Sequence, residues 1–192
     1  VIILESSTHT SSPKKYEEYA YVLDFRQRGK SSTIRGREGI IITAIGADML
    51  SLLEILGMPN SEFEIGERIY IGKEGRKKVL SVLGKMHYDR ISNNAKNELP
   101  NIIETLVTEN EQHFINYLNN AQPLTPRTHS LELIPGIGKI YMNTMIEERE
   151  KKKFQSYAEI EERVGLTDLI KHISQRILEE IEGETRMNIF VK

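Results

Sequence analysis

The sequence predicts an α+β protein, with a small closed β-barrel in the first half and an all-helical second half. Five short segments rich in β-branched and aromatic residues lie between Tyr16 and Ile91, separated by polar and glycine turns. Beyond Ser92 the apolar residues change to helical spacing with recognisable caps. Between two of those helices stands Leu131–Lys139, L-E-L-I-P-G-I-G-K, where glycines let the backbone turn tightly ahead of a new helix start.

Composition narrows the functional classes. The chain has 192 residues, enough for one large or two small domains, and a formal net charge of -2. No global field draws it to nucleic acid, so any basic footprint must be local. The absence of cysteine excludes disulfides, thiolate catalysis and Cys-ligated zinc, and suits a cytoplasmic protein. The five histidines are scattered, so no metal site and no cofactor are expected. No apolar run reaches the roughly 20 residues needed to span a bilayer, and Val1–Leu4 is too short for a signal-peptide core. The protein reads as soluble.

The elements follow in order. Residues 1–15 read as a flexible N-terminal tail, with a polar linker from Ser6 to Pro13. Tyr16 to Phe25 is the first strand, and Arg26 to Arg37 is a basic loop carrying Arg26, Arg28, Lys30, Arg35 and Arg37 with no acid among them. Gly39 to Ile45 is the second strand. Asp48 to Leu56 fits a short helix or a buried strand, and strand is preferred because Gly57-Met58-Pro59-Asn60 stops it so early. Phe63 to Ile71 and Val79 to Ile91 complete a barrel over residues 16–92, since closure removes exposed edges.

Residues 93–122 read as a helical linker. Asn94 to Val107 is helical, with Pro100 in its first turn or at a kink, and Thr108 with Glu111 forms a capping box for a second helix. A helical domain spans 123–183. Thr125 and Pro126 look like the N-cap and first residue of a helix running into Pro135, and Lys139 to Lys151 is the helix after the glycine turn. Ser156 with Glu159 opens the next helix, which ends at Val164-Gly165, and Thr167 opens the last, whose apolar face runs from Leu169 to Ile181. Residues 184–192 contain R-M-N-I-F-V, a strand that could return to the barrel.

The run Leu133-Ile134-Pro135-Gly136-Ile137-Gly138-Lys139 resembles the helix-hairpin-helix motif, whose usual form is an apolar helix end, P-G-I-G and a basic or polar residue. The resemblance implies binding of the sugar-phosphate backbone, DNA or RNA, through the N–H groups of Gly136, Gly138 and Lys139, with the Lys139 ammonium adding charge. Two departures stand out. Met142 occupies the position where that family prefers a small residue, and the second unit, from Phe154 to Ile181, has Val164-Gly165-Leu166-Thr167 where G-x-G is expected. The second unit therefore reads as a pseudo-repeat without a phosphate site. The N-terminal half is similar to an OB-fold barrel, in strand count and in I-G-E-R-I-Y-I-G from Ile65 to Gly72. The whole order resembles the archaeal family catalogued as domain of unknown function 655.

The candidate site residues are thus Gly136, Ile137, Gly138 and Lys139, joined by Arg26, Arg28, Lys30, Arg35 and Arg37. In an OB barrel the loop between the first two strands borders the oligonucleotide face, and Tyr16, Tyr19 and Tyr21 either offer stacking surfaces or belong to the core. The cluster Lys73, Arg76, Lys77 and Lys78 reads as hairpin decoration, and Lys151 to Lys153 as dipole compensation. No catalytic residue is assigned. A non-enzymatic nucleic-acid-binding protein is the first expectation. The other is a protein-interaction adaptor, favoured by the helical half, where residues 93–192 hold 12 lysines and arginines against 16 acids.

Overall fold

The computed structural model describes residues 16–26 and 37–192. Five antiparallel strands form one curled sheet: β1 (Tyr19–Phe25), β2 (Ile40–Gly46), β3 (Leu52–Gly57), β4 (Arg68–Tyr70) and β5 (Val79–Lys85), in the order β4-β1-β2-β3-β5. The expected closure does not occur in the ladder. β4 and β5 are unpaired with each other, so the sheet is a half-barrel with a seam. Arg76 spans that seam, its Nε donating to the carbonyl of Gly72, Nη2 to Ile71 and Nη1 to Leu80.

The segment from Asp48 to Leu56 resolves as a strand only from Leu52. Before it, residues 47–51 form a turn with Leu50 at φ 60°. The buried carboxylate of Glu17 organises this turn, accepting from the N–H groups of Asp48 and Met49 at 2.8 Å and of Ser51 at 3.4 Å. Gly46 makes room for it, because a Cβ there would lie 2.1 Å from the Glu17 carboxyl carbon.

Five helices follow: α1 (Asn93–Glu109), α2 (Glu111–Asn120), α3 (Lys139–Lys151), α4 (Tyr157–Val164) and α5 (Leu169–Glu182). Residues 93–122 are central rather than a linker. α1 packs between β1 and α5, and Tyr21, Leu23, Ile45 and Leu52 share one core with Leu99, Ile103, Leu106 and Ile177. Alternation explains how β1 serves two cores: Tyr21 and Leu23 face the helices, while Ala20 and Val22 face the half-barrel interior with Ile42, Ile55 and Ile69. The Tyr21 hydroxyl donates to Glu109 at the end of α1, and burial pushes its pKa up to about 12.

Local signals held in part. Ser92 caps α1, and Pro100 sits beyond its first turn, leaving the Lys96 carbonyl without its helical donor. The Thr108–Glu111 box does not form: α1 runs through Thr108, whose hydroxyl donates to Glu104, and breaks at Asn110. No helix starts at Thr125. The Thr125 hydroxyl accepts from Arg127 N–H, turning a short hairpin of β6 (Pro123–Thr125) and β7 (Thr128–His129), and a 3-10 helix over Ser130–Leu133 leads into Pro135. Ser156 accepts from Glu159 N–H as expected, but the Glu159 carboxylate reaches back to Gln155. α5 opens at Asp168 rather than Thr167.

The C-terminal strand is absent. Residues 184–192 return toward the half-barrel without regular structure, Lys192 N–H donating to Met49. Buried Glu180 holds this segment, accepting from Ile189, Phe190 and Val191 N–H groups at 2.9–3.1 Å while Arg176 Nε donates to it at 2.9 Å.

Candidate functional site

The hairpin is built from its turn outward. Ile137 N–H donates to Ile134 O at 3.0 Å, with Pro135 second in the turn and Gly136 third at φ +85°. Proline pre-sets φ for the second position of a type II turn, and glycine takes positive φ at the third without steric cost. Ile134 and Ile137 bury their side chains with Leu131 and Met145, anchoring both ends. Ile137, having spent its N–H inside the turn, offers an anion no amide donor.

Gly138 is the N-cap of α3, in extended backbone at φ -82° and ψ -176°. The first bond of the helix runs from Met142 N–H to Gly138 O at 2.9 Å. The N–H groups of Gly136, Gly138, Lys139, Ile140 and Tyr141 meet no acceptor among the described residues. Four of them crowd the start of a 13-residue helix, where the dipole places partial positive charge. Lys139 is exposed and makes no ion pair among the described residues.

A rigid base carries α3. Arg149 donates to Leu118 and Ala121 carbonyls and so caps the end of α2, while Arg163 donates to Glu148 and Lys152 carbonyls and caps α3 itself. The acids that weigh against an anion site lie away from it. Glu147 is eight residues from Lys139, roughly 12 Å along the axis. Glu148 is paired with Lys151 and Arg163, hydrogen bonds that hold its carboxyl below the ordinary value. Met142 is half-buried against the helical core.

The second unit makes the contrast. Gly165, at φ +79°, ends α4, and the first amide of α5, Leu169 N–H, is taken at 3.1 Å by Glu161 from α4. An internal carboxylate thus occupies the start of α5, whereas none among the described residues caps the start of α3.

Of the other predicted basic residues, two fall among the described ones. Arg26 and Arg37 are exposed at the open ends of β1 and β2, and neither makes a described hydrogen bond or ion pair with the hairpin; Arg28, Lys30 and Arg35 lie outside the described residues. Tyr21 is core. Tyr19 is half-buried with the Arg68 guanidinium 3.7 Å over its ring, and exposed Tyr16 sits under Lys73 at 4.8 Å. Two features escaped the sequence. Arg76 reads like any turn cation until the seam it crosses is visible, and Ile140, 83% exposed beside the free amides, has no polar pattern to mark it.

No helix among the described residues is long and apolar enough to cross a membrane, and no cluster of potential metal ligands occurs among them. The architecture is that of a curled antiparallel half-barrel with a helical half docked on its outer face and an amide-rich hairpin exposed on the helices. The chain belongs to the family described as protein of unknown function (DUF655), whose model matches residues 16–192. It is 36% identical over 184 residues to uncharacterized protein MJ0038 of Methanocaldococcus jannaschii, covering 95% of this chain and 83% of that one. The crystal structure of Af1531 from Archaeoglobus fulgidus, of the same family, is similar with a TM-score of 0.75 and 33% identity, over 92% of this chain and 100% of that one.

Proposed function

We propose that this protein is a non-enzymatic, cytoplasmic nucleic-acid-binding protein that grips the sugar-phosphate backbone without sequence specificity. In this reading the segment from Ser130 through α3 acts as a helix-hairpin-helix unit. A phosphate oxygen accepts from the amides of Gly138, Lys139 and Ile140 while the Lys139 ammonium neutralises charge. Arg26, Arg28, Lys30, Arg35 and Arg37 add a second, diffuse contact.

The supporting observation is Gly138. Its φ suits any residue, and the place of its missing Cβ has nothing within 4 Å. Neither strain nor packing inside the chain requires glycine there, and serine or aspartate would cap the helix better. A glycine at that point does serve one purpose, the close approach of another body to free amides.

A second reading, an adaptor binding other proteins, is favoured by Ile140. An isoleucine 83% exposed beside half-exposed Tyr141 is apolar surface that a protein partner would cover.

Fluorescence titration with short single- and double-stranded DNA and RNA at two salt concentrations separates the readings. Binding that falls with a log–log salt slope of roughly -2 to -3, as for a few neutralised phosphates, is the expected result. Gly138→Asp should fold, because its carboxylate caps α3, yet lose binding by repulsion. Absence of binding at low salt would leave the adaptor reading, and an unaffected Gly138→Asp would remove the hairpin from the mechanism.

A further inference from the structure

We propose that the seam between β4 and β5 is a docking groove for an extended peptide strand bearing acidic side chains. The two end strands of the sheet border one cleft of about 630 Å³, lined by Tyr70 to Lys73 on one side and Val82, Gly84 and Lys85 on the other. That volume lies within the roughly 300–1,000 Å³ of ligand sites. Leu53 and Val82 contribute apolar wall.

The outer edges of β4, three residues long, and β5, seven residues long, meet at this cleft, and a strand edge presents N–H and C=O groups at β spacing. A small molecule satisfies one or two of these groups, whereas an added strand satisfies them in register, with alternate side chains entering the apolar wall. Arg76 already holds the carbonyls of Ile71, Gly72 and Leu80, so it closes one end of the seam and sets its width. Gly84, at φ +151° with nothing within 4 Å of its absent Cβ, keeps the β5 edge clear where a second backbone would approach.

Charge chooses the peptide. Arg76 is committed to carbonyls, but Lys73 and Lys85 are exposed on opposite walls. Of the two acids that line the cleft among the described residues, Glu17 is buried and spends its carboxylate on the 47–51 turn, leaving Glu18 outnumbered. A strand alternating apolar and acidic residues therefore matches both wall and rim.

The test uses the full chain, amide NMR spectra and anisotropy with three short labelled peptides: alternating valine and glutamate, alternating valine and lysine, and the glutamate peptide with alternate amides N-methylated. The glutamate peptide should shift amide signals within residues 68–73 and 79–85, and the other two should bind at least about tenfold more weakly. Lys73→Glu with Lys85→Glu should reverse the charge preference. The proposal is overturned by no shift at the seam, by equal binding of the glutamate and methylated peptides, or by an oligonucleotide of equal charge shifting the seam as strongly. None of these changes touches the hairpin, so failure here and failure of the phosphate reading are distinguishable.

Discussion

The imidazole Cε1 of His172 stands 2.4 Å from where a Cβ on Gly136 would lie, so the hairpin turn is wedged against α5. Gly136 is thus required by the fold twice over, through its φ and through this contact, while Gly138 is required by neither. Gly136→Ala should cost about 2 kcal/mol in urea unfolding, from the positive φ and the displaced ring. Gly138→Ser should be neutral or stabilising by a few tenths of a kcal/mol, roughly the gain of a side-chain cap. Equal losses at the two positions would mean that Gly138 is structural after all.

The Glu180 carboxylate is a buried hub for three backbone amides and Arg176. Removing one partner of such a pair strands the other, so Glu180→Ala should cost about 3 kcal/mol. Hydrogen exchange should show the amides of Ile189, Phe190 and Val191 losing protection together, as Phe190 leaves its edge contact with Phe114. Retained protection would show that apolar packing of Phe190 alone holds the segment.

Burial raises the Glu17 carboxyl above its ordinary value of 4.5, outweighing the amide donors of Asp48, Met49 and Ser51. A carboxyl so raised takes up its proton more readily folded than unfolded. Its contribution to stability therefore falls as pH rises from 4.5 through the folded pKa, and is level above it. Glu17→Gln keeps an acceptor and loses the titration, so the stability of this variant relative to wild type should rise with pH over that window. A pH-independent difference between the two unfolding curves would contradict the shift.

Arg76 makes its bonds with a planar fork that lysine cannot reproduce. Arg76→Lys should cost about 1–2 kcal/mol, the loss of one or two hydrogen bonds to partly buried carbonyls. Faster amide exchange on β5 would locate the effect at the seam. If stability and exchange are both unchanged, the strut does not hold the two edges.

Elements were legible where local chemistry was unambiguous. The P-G turn, the Ser156 cap and the five β-branched segments all appear near their expected places. Misreadings came where one local signal serves two structures. Thr125-Pro126 fits a helix start and also a hairpin corner, and the Thr125 hydroxyl went to Arg127. Arg186–Val191 has strand-like residues, but a strand exists only beside another edge, and here Glu180 took the amides instead. For the candidate site, the hairpin was visible as four consecutive residues and its distinction from the second unit as the missing G-x-G, whereas the Glu161 carboxylate on Leu169 N–H was not.

Sequence alone settles the turn at Pro135-Gly136, the helix that starts after Gly138 and the strand-rich and helix-rich halves, because each depends on φ preferences and hydrogen bonds within a few residues. Tertiary structure decided which amides remain free. Glu161 reaches Leu169 while no carboxylate among the described residues reaches Gly138 or Lys139, and Arg76 ties the carbonyls after β4 to β5 at one end of the seam. Those outcomes turn on acceptors and donors brought together by the fold, over separations that local preference does not see.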